Sequence, residues 1–118
     1  MNTPTNPAAA GSIVTIYMTG QGYISGMPPD GNVSNGPLQT PYTPNVYIVG
    51  EPTPVPVANI KYSGLAPTLV GVWQINVQIP SDVISVPGSS VQVVVEVNSL
   101  VSSGGGLGRP VYIYVKAP

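Results

Sequence analysis

The chain has 118 residues, a length that suits one domain with a hydrophobic core. Charged side chains make up only 6% of it, against about a quarter in an ordinary soluble domain, and His and Cys are absent. This composition excludes histidine and cysteine chemistry, disulfide bridges, and a basic surface for nucleic acid or anionic lipid, since the net charge is −1. So few charges also do little to keep copies of the chain apart.

Residues 1–11 are predicted to form an extended N-terminal arm. The segment is rich in Pro and small residues and has no charged side chain. Because Pro restricts the unfolded chain, ordering this arm costs less conformational entropy than ordering a Gly-rich tail. The sequence leaves open whether the arm pairs with a neighbouring molecule or folds back onto its own domain.

Residues 12–118 are predicted to form one antiparallel β-sandwich domain. Hydrophobic residues, many of them β-branched, alternate with polar ones in short runs that Gly and Pro separate, a pattern typical of half-buried strands. The run 73–79 is the clearest, with Trp73 in phase with Ile75 and Val77. The predicted strands are 12–19, 46–49, 55–62 (an edge strand, because of its prolines), 73–79, 90–97 and 111–116.

Two connections are long or flexible. Residues 20–44 form a loop in which ten residues are Gly or Pro, and loops of this length are usually functional or disordered. Residues 102–110 contain three consecutive Gly and are predicted to form a flexible turn before the last strand. The long loop includes Asn32-Val33-Ser34, which makes Asn32 a candidate glycosylation site.

Three stretches from Gly11 onward resemble one known family. They are GSIVTIYMTGQG (11–22), IKYSGLAPTLVGVWQINVQIP (60–80) and VQVVVEVNSLVSS (91–103). The middle stretch is specific, with the ordered pattern Tyr62-x-Gly64-x-Ala66-Pro67, Gly71, Gln74-x-Asn76 and Pro80. In these motifs the chain is similar to the Solibacter-type C-terminal domain family of secreted acidobacterial proteins. The resemblance implies an immunoglobulin-like β-sandwich outside the cell, without an assigned activity or a catalytic site.

The chain also departs from that family. Members usually form the tail of a much longer chain and have a further strand before the stretch that matches 11–22. Here ten residues precede that stretch. The domain is therefore expected either to act by itself or to be a fragment of a larger secreted protein.

No combination of residues points to catalysis or to a bound metal. Four acids are scattered along the chain, at Asp30, Glu51, Asp82 and Glu96, whereas a glycosidase needs paired carboxylates and a calcium site commonly needs several. The stretch 30–32, Asp-Gly-Asn, offers oxygens to Ca²⁺, but an ordinary Asp-Gly turn is favoured. Ser and Thr hydroxyls have no His to activate them. The chain is expected not to be an enzyme and to need no cofactor.

The aromatic residues divide between the core and the surface. Trp73 is in phase with hydrophobic neighbours and is predicted to be a core aromatic rather than a sugar-stacking residue. In the last predicted strand, Tyr112 and Tyr114 lie on the face opposite the inward residues Val111, Ile113 and Val115. They are candidates for an exposed aromatic strip that faces a neighbouring subunit or a glycan.

Self-association is the leading functional hypothesis. Natural sheets protect edge strands with Lys, Pro or bulges, yet the strand 12–19 carries no charge. The arm can add as a strand to the open edge of a neighbour, in the manner of donor-strand complementation, and head-to-tail repetition then builds an open helical filament. The residues expected to carry this assembly are Thr3, Pro4, Asn6, Pro7, Ala8, Ala9 and Ala10 of the arm, and Ile13, Val14 and Ile16 of the strand.

The sequence therefore favours a non-enzymatic structural subunit of an extracellular bacterial filament, with copies of itself as partners and glycans as a second class of ligand. Nucleic acid is not an expected partner, and no apolar run approaches the length of a membrane-spanning helix. Two alternatives stay open. One is an adhesive or carbohydrate-binding module that uses the loop 20–44 and the exposed Tyr residues, and the other is an accessory domain of a larger secreted protein.

Overall fold

The fold is all-β. The computed structural model describes residues 1–19, 24, 26, 28–29, 31–33, 36–48, 54–83, 90–97, 100–101 and 111–117, and ten strands lie within them. All but one pair of neighbouring strands within these residues run antiparallel. The predicted fold class is confirmed at this level, as an all-β chain with antiparallel sheets.

One sheet has four strands with β6 (Trp73–Gln78) near its centre. β2 (Ile13–Met18) lies on one side of β6, and β5 (Ile60–Leu65) followed by β3 (Leu38–Gln39) lies on the other. β2 pairs with β6 along its whole length, from Ile13 opposite Gln78 to Met18 opposite Trp73. β2 is thus one edge of this sheet.

The second sheet is built around β7 (Val91–Val97). β4 (Asn45–Ile48), β8 (Leu100–Val101) and β9 (Val111–Ile113) all pair antiparallel with it. Val93 lies opposite both Ile48 and Val111, so β4 and β9 flank β7 on opposite sides.

A third, two-stranded sheet brings the two ends of the chain together. β1 (Ala8–Ala9) pairs parallel with β10 (Val115–Lys116). β9 and β10 both lie within the predicted strand 111–116, which is interrupted at Tyr114. β7 begins at Val91, opposite Ile113, so the residues after Ile113 have no β7 residue to pair with and pair with the arm instead.

Both four-stranded sheets contribute to one hydrophobic core. The alternation predicted for β6 is confirmed, because Trp73, Ile75 and Val77 are buried while the Gln and Asn residues between them are partly exposed. Hydrophobic residues of the other strands contribute to the same core. Buried in the same core are Ile16, Val46, Ile48, Ile79, Val93, Val95, Ile113 and Val115.

A chain of hydrogen bonds inside the core orients the single Trp. Trp73 donates its Nε1–H to the Ser63 hydroxyl over 2.9 Å, and that hydroxyl lies 2.8 Å from the Thr40 hydroxyl. Thr40 in turn donates to the carbonyl oxygen of Tyr42 over 2.7 Å. Tyr42 packs edge-on against Trp73, with 6.0 Å between the ring centroids. Every buried polar atom of this group has a partner, as buried polar groups require.

The predicted strand 55–62 is wrong in its first half. Residues Val57–Asn59 form a turn of 3-10 helix, in which the N–H of Asn59 donates to the Pro56 carbonyl over 2.8 Å. β5 begins only at Ile60 and continues beyond the predicted end. Pro54 and Pro56 have no N–H to donate to a neighbouring strand, and the fixed φ of Pro56, −54°, suits the entry into a turn.

Other differences concern short segments. β3 lies inside the predicted loop 20–44, and β1 lies inside the predicted arm. The predicted turn 102–110 lies outside the described residues, and so do 20–23 of the long loop and position 49 of the predicted strand 46–49.

Replacement of Ser63 by Ala tests the hydrogen-bond chain in the core. Ser63→Ala leaves the buried Nε1–H of Trp73 without its acceptor, which we expect to lower the free energy of unfolding by about 1–3 kcal/mol. Urea unfolding at a low protein concentration measures the change. Lys61→Met is the matched control, since it removes an exposed hydrogen bond to the Ala58 carbonyl and is expected to change stability by less than about 0.5 kcal/mol. Equal effects of the two substitutions would contradict a special contribution of the buried Trp73–Ser63 hydrogen bond to stability.

Candidate assembly interfaces

The arm begins with a compact turn. Thr3 and Asn6 exchange two backbone hydrogen bonds, of 3.2 and 3.0 Å, around Pro4 and Thr5. The Asn6 side chain closes the turn by donating to the carbonyl oxygen of Met1 over 2.9 Å. Because this turn reverses the direction of the chain, Asn2 and Ala8 both reach the backbone of Tyr114.

The arm is attached to its own domain mainly through backbone groups. The N–H of Ala8 donates to the Tyr114 carbonyl over 2.9 Å, and the N–H of Ala10 donates to the Lys116 carbonyl over 2.8 Å. Asn2 adds a two-point clamp, because its Nδ2 donates to the Tyr114 carbonyl over 2.8 Å and its Oδ1 accepts from the Tyr114 N–H over 2.7 Å. The sequence left open whether the arm pairs with a neighbour or folds back. In the structure, the arm folds back onto its own domain.

Few side chains of the arm enter the core. Ala10 is 4% exposed and belongs to the core cluster, Ala8 packs against that cluster, and Pro7 and Ala9 are half-buried. Pro4 and Asn6 are exposed and Thr3 is half-buried. The attachment therefore depends on hydrogen bonds to backbone atoms, which every copy of the chain presents.

A tight turn at Gly11 joins the arm to β2. Gly11 has a φ of +83°, a left-handed conformation that residues with a Cβ rarely adopt. The N–H of Ser12 donates to the Ala9 carbonyl over 3.0 Å, and the N–H of Gly11 donates to the Ile79 carbonyl over 2.9 Å. A Cβ at position 11 would meet no atom within 4 Å, so only the backbone conformation selects Gly here.

The three β2 residues of the assembly hypothesis separate onto two faces. Ile16 is buried in the core of its own chain, and Val14 packs against that core. Ile13 lies on the opposite face with 56% exposure, together with Tyr17 at 59%. An Ile16→Asp change would therefore disrupt the domain itself and cannot serve as a test of association.

β2 also has an unpaired edge. No strand within the described stretches of the chain pairs with β2 on the side away from β6. The strand has neither a charged residue nor a Pro, which are two of the devices that commonly protect such edges. Thr15 and Tyr17 are exposed on this strand, although the sequence did not identify them as residues of an assembly interface.

An open groove of about 370 Å³ lies between the arm and the start of β2. Its walls come from Met1, Asn2, Asn6, Pro7 and Ala8 on one side and from residues 12–15 on the other. None of these residues has an ionisable side chain. The groove therefore suits an uncharged segment of extended chain.

The aromatic and glycosylation candidates are not among the residues that line the groove. Tyr112 of β9 is 52% exposed, and Tyr114 is half-buried with its backbone bonded to the arm. Asn32 is exposed, and its N–H donates to the Pro29 carbonyl over 3.1 Å. Ser34 of its sequon lies outside the described residues, and glycosylation stays a prediction.

The ionisable groups form no metal-binding cluster among the described residues. Glu96 accepts from Asn45 Nδ2 over 3.3 Å on the outer side of β7, whereas Asp30 and Glu51 lie outside the described residues. Burial raises the pKa of the Tyr42 phenol, so that group stays neutral at neutral pH. In the same described part of the chain, no helix has the length and hydrophobicity needed to cross a membrane.

Comparisons with known proteins find no relative: no family model, curated protein or solved structure matches the chain. The resemblance to the Solibacter-type C-terminal domain family therefore stays a prediction, and the functional argument depends on the geometry of this chain.

Replacement of Asn2 by Ala tests the clamp on Tyr114. Asn2→Ala removes two hydrogen bonds of the arm, so we expect the amide hydrogens of Ala8 and Ala10 to exchange roughly ten- to a hundredfold faster. Hydrogen exchange followed by NMR measures this effect. The amides of β6 serve as internal controls and should exchange at unchanged rates. Equally faster exchange of all amides in the domain would instead show that Asn2 stabilises the whole domain.

Proposed function

We propose that this chain is a non-enzymatic structural subunit of an extracellular bacterial filament, which assembles with copies of itself by exchanging the arm between neighbours. The observation that carries the proposal is the attachment of the arm to Tyr114 and β10 through backbone hydrogen bonds and the Asn2 clamp, with Ala10 as its one fully buried residue. A neighbour's residues 114–116 present the same backbone groups, so the arm can make the same bonds there.

Exchange of the arm conserves its contacts. The bonds of Ala8, Ala10 and Asn2 to the last strand are broken in one copy and re-formed in the next, so the balance between the two arrangements depends on the turn at Gly11 and on protein concentration. The low charge of the chain supports close approach of copies, since little repulsion opposes it.

The proposed fold of the subunit is an immunoglobulin-like sandwich. In the constant-type arrangement one sheet contains strands B, E and D in that order and the other contains C, F and G. The neighbour order β2, β6, β5 agrees with the first of these, and β4, β7, β9 agrees with the second. The extracellular location depends on the resemblance to a family of secreted proteins.

Carbohydrate binding is a second candidate function, which the exposed ring of Tyr112 favours. Glycan-array binding by a chain that sediments as a monomer, with loss of that binding in Tyr112→Ala, would support this function over assembly.

Cysteine cross-linking tests the exchange of the arm. Ala9 lies opposite Lys116, and the natural chain has no Cys, so an Ala9→Cys chain mixed with a Lys116→Cys chain can form a mixed disulfide only between molecules. We expect the mixture to yield covalent heterodimers on mild oxidation, because a paired strand position falls within the Cα–Cα range of disulfides. Non-reducing electrophoresis measures the yield.

The controls for this experiment use the same chain. The double variant Ala9→Cys/Lys116→Cys should close within one molecule, and Thr5→Cys mixed with Lys116→Cys should give little product, because Thr5 lies in the turn of the arm and not opposite β10. Heterodimers from the Thr5→Cys mixture in equal yield would contradict register-specific exchange. Electron microscopy of the unmodified chain then distinguishes closed dimers from filaments.

Substitution of Gly11 should shift the arm from its own domain to a neighbour. Gly11→Val makes the left-handed turn about 1–2 kcal/mol less favourable, and the added Cβ meets no atom within 4 Å, so we expect roughly a tenfold larger fraction of exchanged molecules in analytical ultracentrifugation. Gly36→Val is the matched control, since Gly36 also has open space around its Cα but no positive φ. A Gly11→Val chain that stays as monomeric as the control would count against exchange at this turn.

A further inference from the structure

One edge of β2 presents an ordered row of backbone hydrogen-bonding groups, with which no strand in the described part of the chain pairs. In an antiparallel pair, residues alternate between those that exchange hydrogen bonds with the partner and those whose N–H and C=O face away. The N–H of Ile79 donates to the Ser12 carbonyl over 2.9 Å, which sets the phase of the alternation between β2 and β6. Ile13, Thr15 and Tyr17 are therefore the residues whose backbone groups face away from β6.

The same three residues carry the solvent-exposed side chains of β2. Ile13, Thr15 and Tyr17 are all exposed, and none is charged. Thr15 stands midway between a β-branched residue and an aromatic one. This arrangement is self-complementary, because a second β2 in antiparallel orientation brings Ile13 of each copy opposite Tyr17 of the other.

We propose that the free edge of β2 is a homodimer interface, at which β2 of a second copy pairs antiparallel about a twofold axis through Thr15. Thr15 faces Thr15 of the second copy, and Ile13 faces Tyr17 on both sides. Each of these three residue pairs exchanges two backbone hydrogen bonds. The sheet that contains β2 and β6 then continues from one copy into the same sheet of the other copy. The edge that lacks a charge or a Pro is thereby covered.

The side chains favour this register over a shifted one. Aromatic and β-branched residues placed directly opposite one another stabilise antiparallel sheets, and the register centred on Thr15 makes two such pairs. On the other face, Val14 of each copy lies opposite Ile16 of the second, which extends the apolar surface around the half-buried Val14. A shift of two residues in either direction removes both Ile13–Tyr17 pairs.

The groove beside the arm accommodates the end of the second strand. In the twofold arrangement, the Tyr17 end of one β2 lies at the Ile13 end of the other, where the groove of about 370 Å³ opens between 12–15 and the arm. The groove lining has no ionisable side chain that would oppose an apolar segment. The second copy is thus a fitting occupant in backbone, side chains and charge.

This interface deepens the proposed self-assembly but uses a different edge from the arm exchange. Arm exchange breaks the pairing of β1 with β10, whereas the homodimer pairs β2 with β2 and uses the arm only as one wall of the groove. The strand pairing of each contact can therefore be tested separately in the full-length chain.

Single cysteines on β2 test the twofold register. A Thr15→Cys chain places the two thiols opposite each other at the axis, within the Cα–Cα range of disulfides, so we expect rapid covalent homodimerisation on mild oxidation. Tyr17→Cys is the matched control, because its copies lie about 14 Å apart along the strands. A mixture of Ile13→Cys and Tyr17→Cys chains should again cross-link, as heterodimers. Equal rates for Thr15→Cys and Tyr17→Cys alone overturn the proposal.

Charge at Thr15 provides an independent measurement without oxidation. Thr15→Lys and Thr15→Glu each place like charges opposite one another at the axis, and we expect each variant alone to dimerise at least tenfold more weakly in analytical ultracentrifugation, while their mixture forms a heterodimer. Far-UV circular dichroism checks that both variants fold. Absence of the heterodimer, or undiminished self-association of either variant, overturns the register.

The outcomes separate this inference from the proposed function. Cross-linking through Thr15→Cys without Ala9–Lys116 exchange supports the β2 interface and counts against exchange of the arm. Exchange without cross-linking at Thr15→Cys supports the filament subunit and overturns the β2 interface.

Discussion

The backbone hydrogen bond between adjacent strands is the interaction on which both the folding and the proposed association of this chain depend. β6 uses both of its edges inside the domain and places Trp73, Ile75 and Val77 in the core. The ends of the chain are joined by the same kind of bond, between β1 and β10. With 6% charged residues, the surface has few other means of recognition. Pairing at strand edges is therefore the source of specificity on which both proposed contacts depend.

The strands and their inward faces could be predicted from the sequence because alternation with a period of two is a local signal. The strand 55–62 was misplaced because Pro54 and Pro56 start a 3-10 turn where hydrophobic content suggested a strand. The two-residue β3 carries no alternation at all. Asn2 could not be identified as a clamp, because its partner Tyr114 is 112 positions away and an isolated Asn has no distinguishing pattern.

The two proposed contacts differ in symmetry. Pairing of β2 with β2 is isologous and closes at two copies, whereas exchange of the arm can be reciprocal or can pass from each copy to the next. Either form of exchange leaves β2 available for pairing. If both contacts form, each domain uses two separate edges, and β2 homodimers are joined through exchanged arms into a longer array. In the proposed exchange, the left-handed turn at Gly11 sets the balance between the isolated and the linked subunit.

The position of Trp73 has a consequence for optical work on this protein. It is the only Trp of the chain, and its indole is held in the core by the Ser63 hydroxyl and lies outside both proposed interfaces. Its fluorescence therefore reports the integrity of the domain rather than the presence of neighbours, since indole emission moves to longer wavelength when polar surroundings such as water replace the apolar core. Unchanged emission during growth of an assembly indicates copies that keep their own cores, and a red shift indicates domains that have opened.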